Sequence, residues 1–512
     1  MVYDEKNMPK LSQLFSLSFP WRRESSGAES STSWVPASAG MVLAVFFATL
    51  LVFAGSFAGS RLPQFGLLIG VELCLLLIAV FARSFTAGTL FVLAELVAGS
   101  LGHLFVFPGG VPIRMAFFAI ALVATCVRML QSKEDRILVR KILLRPEVLC
   151  LALVVLYGVI RGLLSQPLRL VVGDANAYGF FLLLPTFLLA FKDVTARERA
   201  IPVILGATSA TAFLTLILLF LFTHPTPEPM LRMLYKWVRD FGLGEITRAP
   251  GGFYRVFFQA HIWNFIVYLC SAALILRSSK QRWLWIPAVL SVSVVFISFS
   301  RTFWLSAAIA MAVGVAIVLI RRETRPVFFR YLFTAILLSV LGLGLPFALT
   351  RSVSSAAFAR AGALGGEAAI DSRFNLLPVM TGAIREHPLL GWGFGKSLTY
   401  VTKDPRLLAY FPDGNYTTTA FEWGWLDFWL KMGIAGIAVF AMLVILLLIR
   451  LWKTFSDPNK SWMSLALSLS VIGVAIAHTF SPWLNHPLGI GLLLLAYSFC
   501  LRTDALGDKA AL

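Results

Sequence analysis

Residues His387 to Ser397 read HPLLGWGFGKS and end in a Gly-Lys-Ser triplet of the kind that can cradle a phosphate. A nucleotide-binding loop also needs a glycine five residues before the Gly-Lys pair, at a strand-to-helix turn. Counted back from Gly395, that position is Leu390. Other reactive side chains are sparse. The five cysteines (Cys74, Cys126, Cys150, Cys270, Cys500) fall in or beside apolar segments without metal-ligand spacing. They read as small core residues, so neither a metal site nor a disulfide frame is expected. What remains is a set of arginines outside the apolar runs, suited to holding an anionic ligand.

The elements that must position these residues are membrane helices. Of the 512 residues 58% are hydrophobic and 14% charged, with a mean hydropathy of +0.81. Soluble domains have roughly a quarter of their residues charged. Apolar stretches begin near Met41, Phe65, Phe85, Ile113, Glu147, Ala177, Ile201, Ala260, Trp283, Thr302, Tyr331, Trp425, Ser461 and Leu488. Judged against the roughly 20 residues that a bilayer requires, they predict an all-α integral membrane protein with about 12–14 transmembrane helices.

Charge placement orients these spans. The net charge of +18 could suggest nucleic acid, but in a multi-pass protein basic residues first report topology. With the N-terminus inside, alternate loops hold 26 of the 44 lysines and arginines, including RMLQSKEDRILVRKILLRPE, RSSKQR and RRETRPVFFR. Both termini are thereby placed in the cytoplasm, and no nucleic-acid partner is implied. Most of the remaining basic residues lie in two long outward segments, 223–259 and 350–424.

The resulting organisation is an N-terminal extension (1–40), helices from 41 to 349 with an outer loop at 223–259, a large outer loop (350–424), C-terminal helices (425–501) and a cytoplasmic tail (502–512). Phe19 to Met41 reads like a translated dispersed bacterial DNA repeat, which points to Met41 as the true start. Within the large loop, Phe374 to Ile384 is patterned as a short interfacial helix ended by Glu386-His387-Pro388. Gly391, Gly393 and Gly395 then form a turn. Its Gly-Lys-Ser lies outside the membrane, where ATP is not available, so it is not a nucleotide site.

An arginine opening a helix, then PLLGWGFG, a polar loop and a helix with GIAGIAVF is similar to the O-antigen ligase and O-antigen polymerase superfamily. The resemblance covers about Ser298 to Leu448; YGVIRGLL (Tyr157 to Leu164) and Asp174 also resemble earlier helices of that family. It implies a glycosyltransferase of the bacterial inner membrane. Such an enzyme moves a glycan from undecaprenyl pyrophosphate to a hydroxyl on another glycan, lipid A core or protein, without metal, nucleotide or other cofactor. Its partners would be that lipid-linked glycan, the acceptor and membrane lipids. The chemistry suits arginine, whose planar, permanently charged fork holds phosphate bidentately and can stabilise charge growing on the leaving pyrophosphate.

Carried over residue by residue, Arg301 in FSRTFW and Arg373 in DSRFN match the family's arginines and would contact the pyrophosphate. The plainer readings are an interfacial anchor beside Trp304 for Arg301, and a salt bridge to Asp371 for Arg373. The family's catalytic histidine position, eleven residues before the first glycine of GIAG, is Glu422. Glu422 would serve as general base where burial among Phe421, Trp423 and Trp425 raises its pKa; a helix N-cap carboxylate is the alternative.

Arg255 is a third expected phosphate contact. Arg161, Glu72 and Glu95 lie within apolar segments and call for pairing, with Arg161 otherwise lining the donor groove. Trp423 and Trp425 read either as an interfacial belt or as a platform for sugar faces. Lys431 lies four residues from Asp427 and pairs with it. Two other function classes fit less well: a lipid-linked glycan transporter, which should show an internal repeat and more deep charges, and an inactive accessory subunit of a glycan-assembly complex.

Overall fold

The computed structural model describes residues 34–248, 253–278, 281–322, 324–350, 368–403, 405–455 and 461–500. Among these residues ten helices are long and apolar enough to cross a bilayer. They run Ser38–Arg61, Pro63–Arg83, Ile113–Gln131, Pro146–Ser165, Leu168–Ala190, Val194–Thr223, Arg301–Ile320, Arg325–Leu349, Gly424–Thr454 and Trp462–Phe480. Four shorter apolar helices, Phe85–Ala98, His261–Arg277, Arg282–Ile297 and Pro487–Cys500, take up the remaining apolar stretches of the sequence. The all-α, multi-pass architecture is as expected, with ten helices of spanning length where the hydropathy reading gives 12–14. Two of the short ones are interior elements: most side chains of Pro487–Cys500 and of His261–Arg277 are buried by neighbouring helices. A helix enclosed by protein need not match the bilayer's thickness.

Without a hydrophobic driving force between helices in lipid, close packing falls to small residues and buried polar contacts. Helix Trp34–Arg61, which begins seven residues before Met41, lies along Val194–Thr223. A Cβ added at Gly206 would come within 2.7 Å of the Val42 carbonyl. Ser293 donates to the Gly342 carbonyl at 2.8 Å, and Asn264 donates to Thr208 O at 3.0 Å. These two donors are thereby spared desolvation without a partner. The expected pairing of Glu95 is found: Arg114 holds it at 3.0 Å, both nearly inaccessible. Glu72 instead lies on the exposed side of its helix.

The two ends of the bundle differ. At one end short basic connections are pinned by carboxylates: Arg128 and Lys192 both bind Asp135, Arg277 binds Glu198, and Arg450 binds Glu147. The other end carries three antiparallel hairpins, Val106–Phe107 with Val111–Pro112, Gly244–Arg248 with Tyr254–Phe258, and Leu398–Val401 with Asn415–Thr418. The second hairpin is in register from Gly244 opposite Phe258 to Arg248 opposite Tyr254. The amphipathic helix Glu228–Asp240 leads into it, burying Leu234, Trp237 and Val238 while Arg232, Lys236 and Arg239 stay exposed. Of the large loop, the described part is a helix, Ala368–Glu386, a glycine-rich segment and the third hairpin. Residues 1–33 of the expected extension (1–40) and the tail 502–512 lie outside the described residues, and 34–40 belong to the first helix rather than to an extension ahead of it.

Candidate functional site

The glycine-rich segment His387–Gly395 enters the bundle between helices Pro146–Ser165 and Gly424–Thr454. The second of these is broken at Gly433, with φ 67° and ψ −166°. In an unbroken helix the Leu430 carbonyl would accept from the amide of residue 434 and Lys431 from that of 435. Here Trp392 N donates to Leu430 O at 2.7 Å and Gly393 N to Lys431 O at 2.9 Å. The freed Ile434 amide donates back to Pro388 O at 3.2 Å, which also accepts from Trp429 Nε1 at 2.8 Å. The inserted backbone thus replaces the hydrogen bonds that the break removes, as a low-dielectric interior demands.

The opposite side of the segment meets the Pro146–Ser165 helix. Phe394 N donates to Gly158 O at 3.0 Å, Tyr157 Oη to Leu390 O at 2.8 Å and Arg161 Nε to Gly391 O at 2.6 Å. Approach is so close that a Cβ at Gly393 would stand 2.3 Å from Gly162 N, and one at Gly433 2.1 Å from Leu389 O. Gly391, Gly393 and Gly395 all have positive φ, a region that side chains disfavour. The segment expected as a glycine turn is therefore a fitted insertion. Its Gly-Lys-Ser leads into a strand, and Lys396 lies 3.4 Å from the centroid of the Trp392 ring, an arrangement unlike a phosphate-binding loop.

Beside the break, Lys431 contacts Asp174 at 2.5 Å and Asp427 at 2.6 Å, with all three side chains buried or nearly so. The expected Lys431–Asp427 pair is present. Asp174 adds a second carboxylate, 257 residues away in sequence, and sequence spacing carried no sign of it.

Above this network, Arg373 and Glu422 form an ion pair. Trp423 Nε1 donates to the Arg373 carbonyl at 3.0 Å, and its ring packs on Phe374 and Phe480. Glu422 is half-exposed rather than buried among aromatics. The N-cap position of the following helix is Trp423, with no side-chain cap, so Glu422 does not cap it. The pair forms because Ala368–Glu386 lies over the start of Gly424–Thr454. Asp371, the partner expected for Arg373, pairs with Lys403 at 3.6 Å instead. The Leu398–Thr418 hairpin is tied to the same helix turn, with Asn375 Nδ2 donating to Val401 O at 2.9 Å.

Arg255 and Arg301 form a second group. Arg255 Nε donates to Ser298 O at 2.8 Å, and its guanidinium lies 3.8 Å from Glu245. Arg301 opens the next helix after the Ser300 cap, with its guanidinium nitrogens shielded from solvent. Ring contacts bring neighbours of both arginine groups to the segment Phe480–Trp483, since Trp423 packs on Phe480 and Phe303 on Trp483. That turn is held by histidines acting as acceptors: His478 Nδ1 takes the Leu484 amide and His486 Nδ1 the Leu488 amide. Trp425 faces inward, against Phe428 and His478, and bonds Ala475 O at 3.2 Å. Arg161 faces the inserted segment, as described.

At the edge of this end, burial and then the Arg114 charge hold the His103 imidazole below its ordinary pKa, so it stays neutral near pH 7. Asp413, in the tip of the third hairpin, is held below the usual carboxylate range by hydrogen bonds from Asn415. Two apolar cavities of about 830 and 480 Å³ lie within the bundle, the first lined by residues such as Val45, Leu90 and Phe117, the second by Val155, Tyr178 and Leu493. Neither is lined by Arg301, Arg373 or Glu422. Among the described residues no cluster of metal-binding side chains occurs.

Fold and site together define a multi-pass helical membrane protein with polar machinery gathered at one end of the bundle. The family model for O-antigen ligase (Wzy_C) matches residues 286–441, so this part of the chain is similar to that family. The match includes Arg301, the inserted glycine segment and the Arg373–Glu422 pair, while Arg161, Asp174 and Arg255 lie before it. No curated protein sequence matches the chain.

Proposed function

We propose that this protein transfers a glycan from an undecaprenyl-pyrophosphate-linked donor to a hydroxyl acceptor at the hairpin-bearing end of the bundle, as a ligase or polymerase. That end is then the periplasmic face of the inner membrane, with both termini in the cytoplasm. The observation that carries the reading is the Arg373–Glu422 pair within the O-antigen ligase match. In this reading the donor pyrophosphate takes over the Arg373 guanidinium, which phosphate binds bidentately, and frees the Glu422 carboxylate. Glu422 accepts the acceptor hydroxyl's proton as its oxygen attacks the anomeric carbon. The bond from that carbon to the pyrophosphate oxygen breaks, and undecaprenyl pyrophosphate leaves with its negative charge held by arginine. Arg255 and Arg301 are assigned to the donor side, Trp423 to a sugar face, and Arg161 and Trp425 to shaping the groove. No metal or nucleotide is needed.

A second reading is favoured by one observation: Glu422 stands where the superfamily it resembles has a histidine. An accessory subunit without transfer activity would retain the fold and lose the base. Gel analysis of surface glycans in a deletion strain separates the two. Loss of a ligase leaves bare acceptor and chains stored on the lipid carrier, and loss of a polymerase leaves single-unit caps. Complementation by Glu422→Gln at wild-type level would support the accessory reading and count against transfer through Glu422.

A further inference from the structure

Asp174, Lys431 and Asp427 are charges that the transfer chemistry above leaves unused, inside segments that cross the bilayer. Charged groups at such depth are costly and mark function when pairing alone does not explain them. Here there is one carboxylate more than a single ammonium needs. The two carboxylates hold different things. Asp427 accepts from Asn485 Nδ2 at 2.6 Å, in the turn after Phe480. Asp174 accepts from Gly395 N at 2.8 Å, where the inserted segment leaves the bundle. Lys431 also donates to the Thr419 carbonyl at 3.2 Å and lies over the Phe421 ring. Thr419 to Phe421 is the stretch that delivers Glu422 to Arg373.

We propose that Asp174 is a positioning residue for the transfer site. Through Gly395 it fixes the exit of the inserted segment, and through Lys431 it fixes the strand end that carries Glu422. Asp174 touches no reacting atom. Its effect on turnover rests on the glycan-transfer reading, whereas its effect on the backbone does not.

Two substitutions separate this role from simple charge balance. Asp174→Asn and Asp427→Asn remove the same charge, and each leaves one neutral lysine–carboxylate pair. Only the first leaves the Gly395 amide and the Lys431 ammonium to compete for one acceptor oxygen. In the purified full-length protein, amide exchange in peptides spanning 387–397 and 415–423 should rise about tenfold or more in Asp174→Asn and stay within about threefold in Asp427→Asn. With a polyprenyl-pyrophosphate-linked glycan as donor, Asp174→Asn should lower kcat about 100-fold with little change in donor KM, as expected when reacting groups are misplaced. Asp174→Glu keeps the charge and should recover much of the loss.

Equal exchange in the two Asn variants, a loss confined to KM, or no recovery with Glu overturns the proposal. Should Asp174→Asn fail to accumulate, Asp174→Ser against Asp427→Ser gives the same exchange comparison, since serine is too short to span Gly395 and Lys431 together, and equal exchange again overturns it. A wild-type protein that transfers no glycan while the exchange contrast persists overturns the transfer reading and supports the tether.

Discussion

The amide of Trp392 donates to the carbonyl of Leu430 at 2.7 Å, filling a hydrogen bond that the helix containing Leu430 would otherwise make with itself. Around this contact the inserted segment and the break at Gly433 are two halves of one feature, neither of which is satisfied alone. Gly393→Ala places a Cβ 2.3 Å from Gly162 N in a backbone with φ 84°. Left-handed strain on a non-glycine residue costs roughly 1–3 kcal/mol, and the clash adds to it. Gly382→Ala, in open space within a helix, should be neutral or stabilising by roughly 0.5–1 kcal/mol. Thermal unfolding in detergent should rank the two in that order, and equal stability would count against the insertion.

Arg373→Lys keeps the charge and loses the planar fork. It should fold normally and lower transfer about 30- to 1,000-fold, through loss of one bidentate charge-assisted contact to the leaving pyrophosphate. Glu422→Gln keeps the size and removes the proton acceptor. It should bind donor and transfer little; near-normal transfer by this variant would reduce Glu422 to an ion-pair partner.

The Arg114–Glu95 pair is almost wholly buried. Removing one member leaves an uncompensated charge, so Arg114→Ala should cost about 3–5 kcal/mol. Replacing both, with Arg114→Met and Glu95→Leu, should restore most of that stability. A double variant as unstable as the single would show that the pair is needed for more than charge balance.

Orientation is open to a direct test. An alkaline phosphatase fusion at Asp413, in the third hairpin, should be active, and one at Lys133, in a basic connection at the other end, should be silent. The reverse pattern would remove the periplasmic mechanism.

Helices were legible in the sequence because hydropathy is a local property. All fourteen apolar stretches became apolar helices, and the Lys431–Asp427 pair follows from i,i+4 spacing on one helix. Which helices would be enclosed rather than lipid-facing was not legible, since that depends on neighbours. The glycines of PLLGWGFG announced unusual backbone but not its purpose: each is required by an atom of a distant element, Gly391 by Gly433, Gly393 by Gly162 and Gly395 by Val171.

The same divide runs through the site. Sequence alone pointed to a multi-pass membrane protein, and its resemblance to the O-antigen ligase superfamily selected Arg301, Arg373 and Glu422. Tertiary structure decided who meets whom. It put Arg373 on Glu422, turned Arg161 to the Gly391 carbonyl, set Trp425 against His478, and brought Asp174 to a lysine 257 residues away. The physical reason is one of range. Apolar patterning is written residue by residue along a helix, whereas a buried charge or a freed carbonyl takes its partner from whatever element the packing brings within about 3 Å.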